Sequence, residues 1–418
     1  MEIRTIRGFR DILPPEAKKW EYMEGTARKI LLLFGFKEIR LPILEKTPLF
    51  ARSIGETTDI VEKEMYTFID RNGEKLTLRP EATASVVRAF IQHSLYHQPK
   101  SAKLFTIGPM FRRERPQKGR YRQFWQIDAE ILGFDSPLVD AEIILALNTI
   151  LASLKISHYE IHLNSLGCKN CRREFRQALG NYLEQKYPNL CPDCQRRVRL
   201  NPLRVFDCKV LSCQQVVKDA PLIVDYLCSE CKRHFETLKL YLSHLDIKFI
   251  LNPRLVRGLD YYTRTTFEVI IPDIGAQNAV AGGGRYDYLV QELGGKPTPA
   301  IGFAIGTDRL LPCVPDAIEE IRPVFLALLG EKAIKFGLDW VTTLRQRDIY
   351  TEIDYRLGSL KSQLNRANSL HAILALIIGE NEIKESKALL RHMDTKEQIK
   401  VSIQPQEGLS ELLKLLRR

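Results

Sequence analysis

Eight of the nine cysteines stand between Cys168 and Cys231, and only Cys313 lies outside that stretch. Three pairs have the spacing Cys-x-x-Cys (Cys168 and Cys171, Cys191 and Cys194, Cys228 and Cys231), and Cys208 with Cys213 makes a looser fourth. Thiolates so spaced reach one tetrahedral ion at about 2.3 Å, and four pairs suffice for two all-cysteine zinc sites of structural type. The other use of dense cysteines, a disulfide scaffold, belongs to short secreted chains. This chain has 418 residues, and its start carries Glu2, Arg4, Arg7, Arg10, Asp11 and Glu16 where a secretory signal needs an apolar core. A reducing, cytoplasmic setting is therefore expected. Which pairs share an ion stays open, and buried reduced thiols without metal are the plainer alternative.

The cysteines also mark a break in composition. Before them, periodicity predicts helices over 17–34, 82–93 and 140–154 and strands over 36–41, 104–107 and 124–131. From 164 to 246 the chain is basic, punctuated by proline and short of aromatic core residues, with helices expected over 172–187 and 220–245. Gly-rich, strand-like sequence resumes at Lys248. The expected organisation is one domain built from 1–163 and 247–320, a Cys-rich insertion over 164–246, and a separate domain over 323–418. In the last, strands over 324–329, 350–355 and 372–378 alternate with helices over 334–345 and 359–370, which predicts a parallel α/β sheet. The longest apolar run, Ala372 to Ile378, is far short of the ~20 residues a bilayer span needs. A formal charge of +11 favours a polyanionic partner.

Neither a P-loop nor a Gly-x-Gly-x-x-Gly cradle is present, so side chains would have to hold any nucleotide phosphate. Six of the twelve residues over 111–122 are basic, and Glu114 can orient them. Arginine offers a planar fork to phosphate oxygens and keeps its charge; a solvated charge run is the bland account. In Arg257-Gly258-Leu259-Asp260-Tyr261-Tyr262, a strand would send the two tyrosines to opposite faces. Gly282-Gly283-Gly284-Arg285-Tyr286-Asp287 removes three Cβ atoms and lets backbone approach a ligand, or simply turns a hairpin. Over 301–310, a Gly-containing strand runs into a helix whose first turn presents Arg309.

In this order along one chain, these segments resemble the histidyl-tRNA synthetase family, class II aminoacyl-tRNA synthetases of bacterial type, over essentially the whole length. Pro42 lies in a stretch similar to the first class motif, at a dimer interface; 111–130 resembles the second and 302–310 the third. The segments at 257–262 and 282–287 resemble the two signatures of the histidine-specific branch. The resemblance implies an antiparallel-sheet catalytic domain, a C-terminal α/β anticodon-binding domain, and two-step ligation of L-histidine to tRNA(His) with ATP and Mg²⁺ in a homodimer. It makes Arg257 and Arg112 catalytic at the α-phosphate, and gives Arg112, Glu114 and Arg309 to ATP. Glu81, Thr83 and Gln126 fall at the α-amino end of the histidine site and Ala82 within the same site, Glu130 and Tyr262 at the imidazole, with Tyr261 and Tyr286 lining it. Gln117, Lys118 and Arg120 fall where the tRNA acceptor end is met. Trp125 and Asp128 depart from the family's usual His and Gly. A catalytically inactive histidine-binding paralogue that regulates histidine biosynthesis is the alternative, and such relatives typically lack the 257–262 signature and the C-terminal domain. A plain RNA-binding scaffold would explain the charge alone.

Overall fold

The computed structural model describes residues 3–55, 58, 60–97, 102–117, 119–274, 278–315 and 321–416. The chain forms two compact units, Met1–Ile318 and Glu319–Arg418. Strands of the first are β1 (Lys37–Glu38), β2 (Leu44–Lys46), β3 (Tyr66–Ile69), β4 (Lys75–Leu78), β5 (Ala102–Phe111), β6 (Gln123–Leu132), β7 (Glu160–Ser165), β8 (Ile250–Leu251), β9 (Thr263–Ile270), β10 (Ala279–Arg285) and β11 (Ala300–Gly306). Eight of them make one sheet in the order β1-β5-β6-β11-β10-β9-β7-β8, and β2-β4-β3 make a small second one. The large sheet is antiparallel except at its two short edge strands, as the class II resemblance implied.

One face of this sheet is sealed by helices. Helix Glu16–Leu33 buries Trp20, Met23, Ala27 and Leu31, a single stripe at helical spacing. Gly35, at φ +79°, ends it in the left-handed conformation that glycine adopts most readily. Helix Pro137–Ser153 starts where the Ser136 side chain accepts from the Leu138 amide, and it is apolar nearly all round because it lies inside the core. Strand β6 shows how the sheet divides the labour. Ile127, Ala129 and Ile131 enter this helical core, while the alternate residues Gln126, Asp128 and Glu130 face a cavity on the opposite side. The expected strand over 36–41 is only β1. Beyond the Ile39 amide, which bonds to Phe105 O, the carbonyls of Leu41 and Pro42 accept from the Arg79 guanidinium in place of a neighbouring strand.

The Cys-rich segment has a core of its own, although its sequence is short of aromatic core residues. Phe175, Leu179 and Leu183 recur every fourth residue on helix Lys169–Gln185 and meet Val198, Val205 and Val217. The charged residues between them dilute the composition and hide the stripe. The expected helix over 220–245 starts only at Ser229. Pro221 and a short 3-10 turn at Ile223–Tyr226 precede it, and its Phe235, Leu238 and Leu242 join the main core.

The second unit holds β12 (Val324–Leu328), β13 (Thr351–Ile353), β14 (Leu374–Ile378), β15 (Lys387–His392) and β16 (Gln398–Ser402), in the order β13-β12-β14-β15-β16. The three expected strands pair in parallel. The sheet as a whole is mixed, because β15 and β16 add an antiparallel hairpin. β15 buries only alternate residues and β16 only Val401, whereas β12 and β14 are buried throughout and read as apolar runs.

Candidate active site

The cavity floor is formed by β6, β10 and β11, and glycines make the room. Gly302 on β11 pairs in register with Glu130 on β6, and a Cβ at 302 would stand 1.5 Å from Glu130 Oε2. A Cβ on Gly282 would stand 2.3 Å from the Arg257 guanidinium. The three-glycine run is thus strand interior, and the hairpin-turn reading is set aside. Its Arg285 does not face the cavity. Fully buried, it donates to Asp140 Oδ1 at 2.8 Å, and the other oxygen of Asp140 takes His234 at 2.8 Å and Thr265 at 2.5 Å.

At one end of the cavity, three carboxylates are out of water. Glu130 accepts from Thr83 Oγ1 at 2.7 Å and Tyr286 OH at 2.6 Å. Burial outweighs these donors and raises its pKa to about 8. Asp128 is pushed well above its ordinary value by burial and by the neighbouring Glu130 and Glu81 charges. Glu81 accepts from the Thr83 and Ala84 amides at 2.8 and 2.9 Å, so it caps helix Thr83–Gln92; burial still raises it. Gln126 Oε1 is buried with no partner among the described residues. Such a pocket attracts a ligand with cationic or N–H donor groups.

Tyr261 and Tyr262 sit before β9 begins at Thr263. Outside the pleat they need not alternate, and they do not point to opposite faces. Their rings lie 4.8 Å apart, both buried and both lining the cavity, with Tyr286 edge-on to Tyr261 at 5.7 Å. The Tyr261 hydroxyl donates to Glu81 Oε2 at 3.4 Å. Ala82 is buried at the start of the following helix, off the cavity wall.

The other end is basic. Arg112 lies over the Phe124 ring at 5.2 Å and donates from Nε to Pro80 O. Arg257 donates to Glu268 Oε1 at 2.6 Å and faces the Tyr262 ring at 5.7 Å. Burial works against its charge, but Glu268 and Tyr262 outweigh burial and raise its pKa. Arg309 is anchored on Ala279 O at 3.0 Å, and burial lowers its pKa. Glu114 pairs with Arg120 at 2.9 Å, which fits an orienting role in the basic loop. Gln117 is exposed at the turn of that loop, and Lys118 lies outside the described residues. Reading the sequence did not single out Glu268 or Asp308. The first pairs with Arg257; the second takes the Trp125 amide at 2.9 Å and pairs with Arg10. Glu268 stands 11 residues from its arginine and Asp308 298 from its own, so no motif spacing marks either pair.

The eight clustered cysteines sort into two groups, Cys168, Cys171, Cys228 and Cys231, and Cys191, Cys194, Cys208 and Cys213, with all sulfurs of a group within 4.8 Å of one another. None is in a disulfide. Sulfurs on a tetrahedron of radius about 2.3 Å are about 3.8 Å apart, against 3.6 Å for Cys168 and Cys171 and 3.9 Å for Cys191 and Cys208. The Cys191 and Cys228 amides donate to Cys213 and Cys171 sulfur, each at 3.2 Å. Burial and the neighbouring thiols push Cys194 and Cys231 up.

Residues 8–310 match the family model described as histidyl-tRNA synthetase, and residues 323–413 match the anticodon binding domain. The chain belongs to the histidyl-tRNA synthetase family. A histidine–tRNA ligase of Desulfatibacillum aliphaticivorans is 53% identical over 98% of both chains. One from Thermodesulfovibrio yellowstonii is 49% identical over 100% of this chain and 99% of its own. The crystal structure of the apo S. aureus histidyl-tRNA synthetase aligns over the full length of both chains with a TM-score of 0.83 at 34% identity. A Bacillus halodurans protein titled an ATP phosphoribosyltransferase regulatory subunit/histidyl-tRNA synthetase shares the fold at 18% identity.

Proposed function

We propose that this synthetase activates L-histidine with ATP and transfers the histidyl group to the 3′ end of tRNA(His). The observation that carries the reading is a single cavity, acidic at one end and basic at the other. Glu81, Thr83 and Gln126 receive the substrate ammonium. Glu130 and Tyr262 take the two imidazole nitrogens, with Tyr261 and Tyr286 as walls. A site that bonds both nitrogens rejects apolar isosteres by a factor on the order of 10⁴. Arg112 and Arg257 flank the α-phosphate, and Arg309 holds the γ-phosphate. The histidine carboxylate attacks the α-phosphorus, a new O–P bond forms, and pyrophosphate leaves. The terminal ribose hydroxyl then attacks the activated carbonyl and AMP leaves. The nucleophile is already ionised, so the arginines act by positioning and charge neutralisation. Gln117, Lys118 and Arg120 meet the tRNA acceptor end. The regulatory alternative finds no support, since the 257–262 signature and the second unit are both present.

The magnesium that accompanies ATP in this family would meet two carboxylates on the cavity wall, Glu114 and Glu268. Both already pair with arginines, which suits an ion held chiefly by phosphate oxygens and water. It would offset phosphate charge. The two cysteine groups are structural zinc sites, every ligand position being taken by sulfur. Metal analysis of protein prepared without a polyhistidine tag should find about two zinc ions per chain, and none in well-folded protein would refute this. The synthetase works in the cytoplasm as a homodimer. Exposed Ile43, Leu44, Phe68 and Ile69 on and beside the β2-β4-β3 sheet support a partner at that face.

Glu130 gives the site a pH dependence. With its pKa near 8, the carboxylate that accepts an imidazole N–H is lost as pH falls through that value. The KM for histidine in pyrophosphate exchange should therefore rise by up to about tenfold per unit below about pH 8. The stability sign is the reverse. A carboxyl raised above its unfolded value costs stability as pH climbs from the unfolded pKa toward about 8. Glu130→Gln should melt higher than the parent near pH 8 while losing exchange. A flat KM profile with unchanged melting contradicts this assignment.

Removing the second unit should leave histidine-dependent exchange largely intact and cripple tRNA charging. That unit has its own cores and a formal charge of only +3 over 323–418, from 15 Lys and Arg and 12 acids. A local patch and base stacking must supply its tRNA affinity. Equal charging rates with and without it would refute the assignment.

A further inference from the structure

The segment over 256–262 presents Arg257 and both tyrosines to the cavity, yet it lies outside any strand or helix. Its shape is imposed from outside. Arg204 Nη2 donates to Gly258 O at 2.8 Å and to Asp260 Oδ1 at 3.0 Å. The Asn201 amide donates to the same Asp260 oxygen at 3.0 Å, and its carbonyl accepts from Arg176 at 3.4 Å. At the far end of the segment, Arg172 donates to the Tyr262 carbonyl. The three side chains that hold the segment directly, Arg172, Asn201 and Arg204, all come from the Cys-rich insertion.

Asn201 and Arg204 have a particular place in it. They lie between Cys194 and Cys208, inside the stretch that the second cysteine group closes. Helix Pro192–Leu200 ends one residue before Asn201, and a 3-10 turn at Pro202–Asp207 carries Arg204 up to Cys208. Both ends of this short span are ligand positions, so the ion fixes where the two side chains stand. We propose that the ion held by Cys191, Cys194, Cys208 and Cys213 sets the geometry of the catalytic segment, with Asn201 and Arg204 as positioning residues acting on Gly258 and Asp260. The proposal rests on the zinc reading above.

A displacement of about 1 Å at a catalytic group can cost about a hundredfold in rate. Arg204→Ala and Asn201→Ala should therefore each lower kcat for histidine-dependent exchange by about tenfold or more. Both should keep two zinc ions per chain and melt within a few degrees of the parent. The KM for ATP should change less than about threefold, because Arg112 and Arg309 remain. Arg204→Lys should recover part of the loss, since a lysine can still reach one of the two acceptors. Cys208→Ser should drop the content to about one zinc and reproduce the kcat defect, and adding Arg204→Ala to it should cost little more.

Zinc-loaded Arg204→Ala with parental kcat overturns the positioning claim and leaves the metal reading intact. So does a Cys208→Ser protein that has lost its ion but exchanges normally. Parent protein without zinc overturns the metal reading and the ion's role with it. If Cys208→Ser fails to fold, the Arg204 and Asn201 variants decide alone, because neither removes a ligand.

Discussion

Replacing Arg257 with alanine should lower kcat for histidine-dependent ATP–pyrophosphate exchange by two to three orders of magnitude. Three features single out this arginine. Its guanidinium is pinned to Glu268 at 2.6 Å, it lies against Gly282 where no side chain could fit, and it faces the Tyr262 ring. Its Nε is buried with no partner among the described residues, a donor still to be satisfied. Preorganised donors of this kind are worth about 3–4 kcal/mol in the transition state and little in the ground state. Binding of histidine alone should therefore change less than about threefold. A fall in kcat of less than about tenfold would remove Arg257 from the chemistry.

Gly302→Ala should abolish exchange altogether, whereas the same change at Gly25 should be harmless or stabilising. At position 302 the added methyl would stand 1.5 Å from Glu130 Oε2 and 2.6 Å from Ala129 O. β11 sits between β6 and β10 in the sheet, so it cannot back away. Glu130 would have to leave Thr83 and Tyr286, stranding buried polar groups at about 1–3 kcal/mol each, on top of about 1–3 kcal/mol of overpacking. A fall in melting temperature and loss of histidine binding are both expected. Gly25, within helix Glu16–Leu33, has nothing within 4 Å of the added methyl. Alanine there gains up to about 1 kcal/mol of helix propensity. Calorimetric titration and thermal melts of the two variants check the contrast; near-normal histidine affinity in Gly302→Ala would show that the carboxylate is not held as described.

How much of this was legible beforehand follows from where the information sits. The alternation along β6 is local, so the separation of Ile127, Ala129 and Ile131 from Gln126, Asp128 and Glu130 could be read once a strand was assumed. The glycine run at 282–284 and the arginines over 111–122 were visible as motifs, though not what they pack against. The positions of Tyr261 and Tyr262 were misread because the strand starts after them, and the turn that gathers both is held by the insertion. The apolar stripe Phe175, Leu179 and Leu183 was masked by the charges between its members. The pairing of Cys168 and Cys171 with Cys228 and Cys231, and the Asp260 contacts with Asn201 and Arg204, join residues far apart in the chain. Only the fold brings those together.

Activation of histidine at the expense of ATP is tested most directly by amino-acid-dependent ATP–pyrophosphate exchange on the protein with both units present. Exchange should require L-histidine and stay at background with every other amino acid, since no other side chain offers two ring nitrogens to Glu130 and Tyr262. No exchange from well-folded protein, or exchange driven equally by another amino acid, would contradict the account.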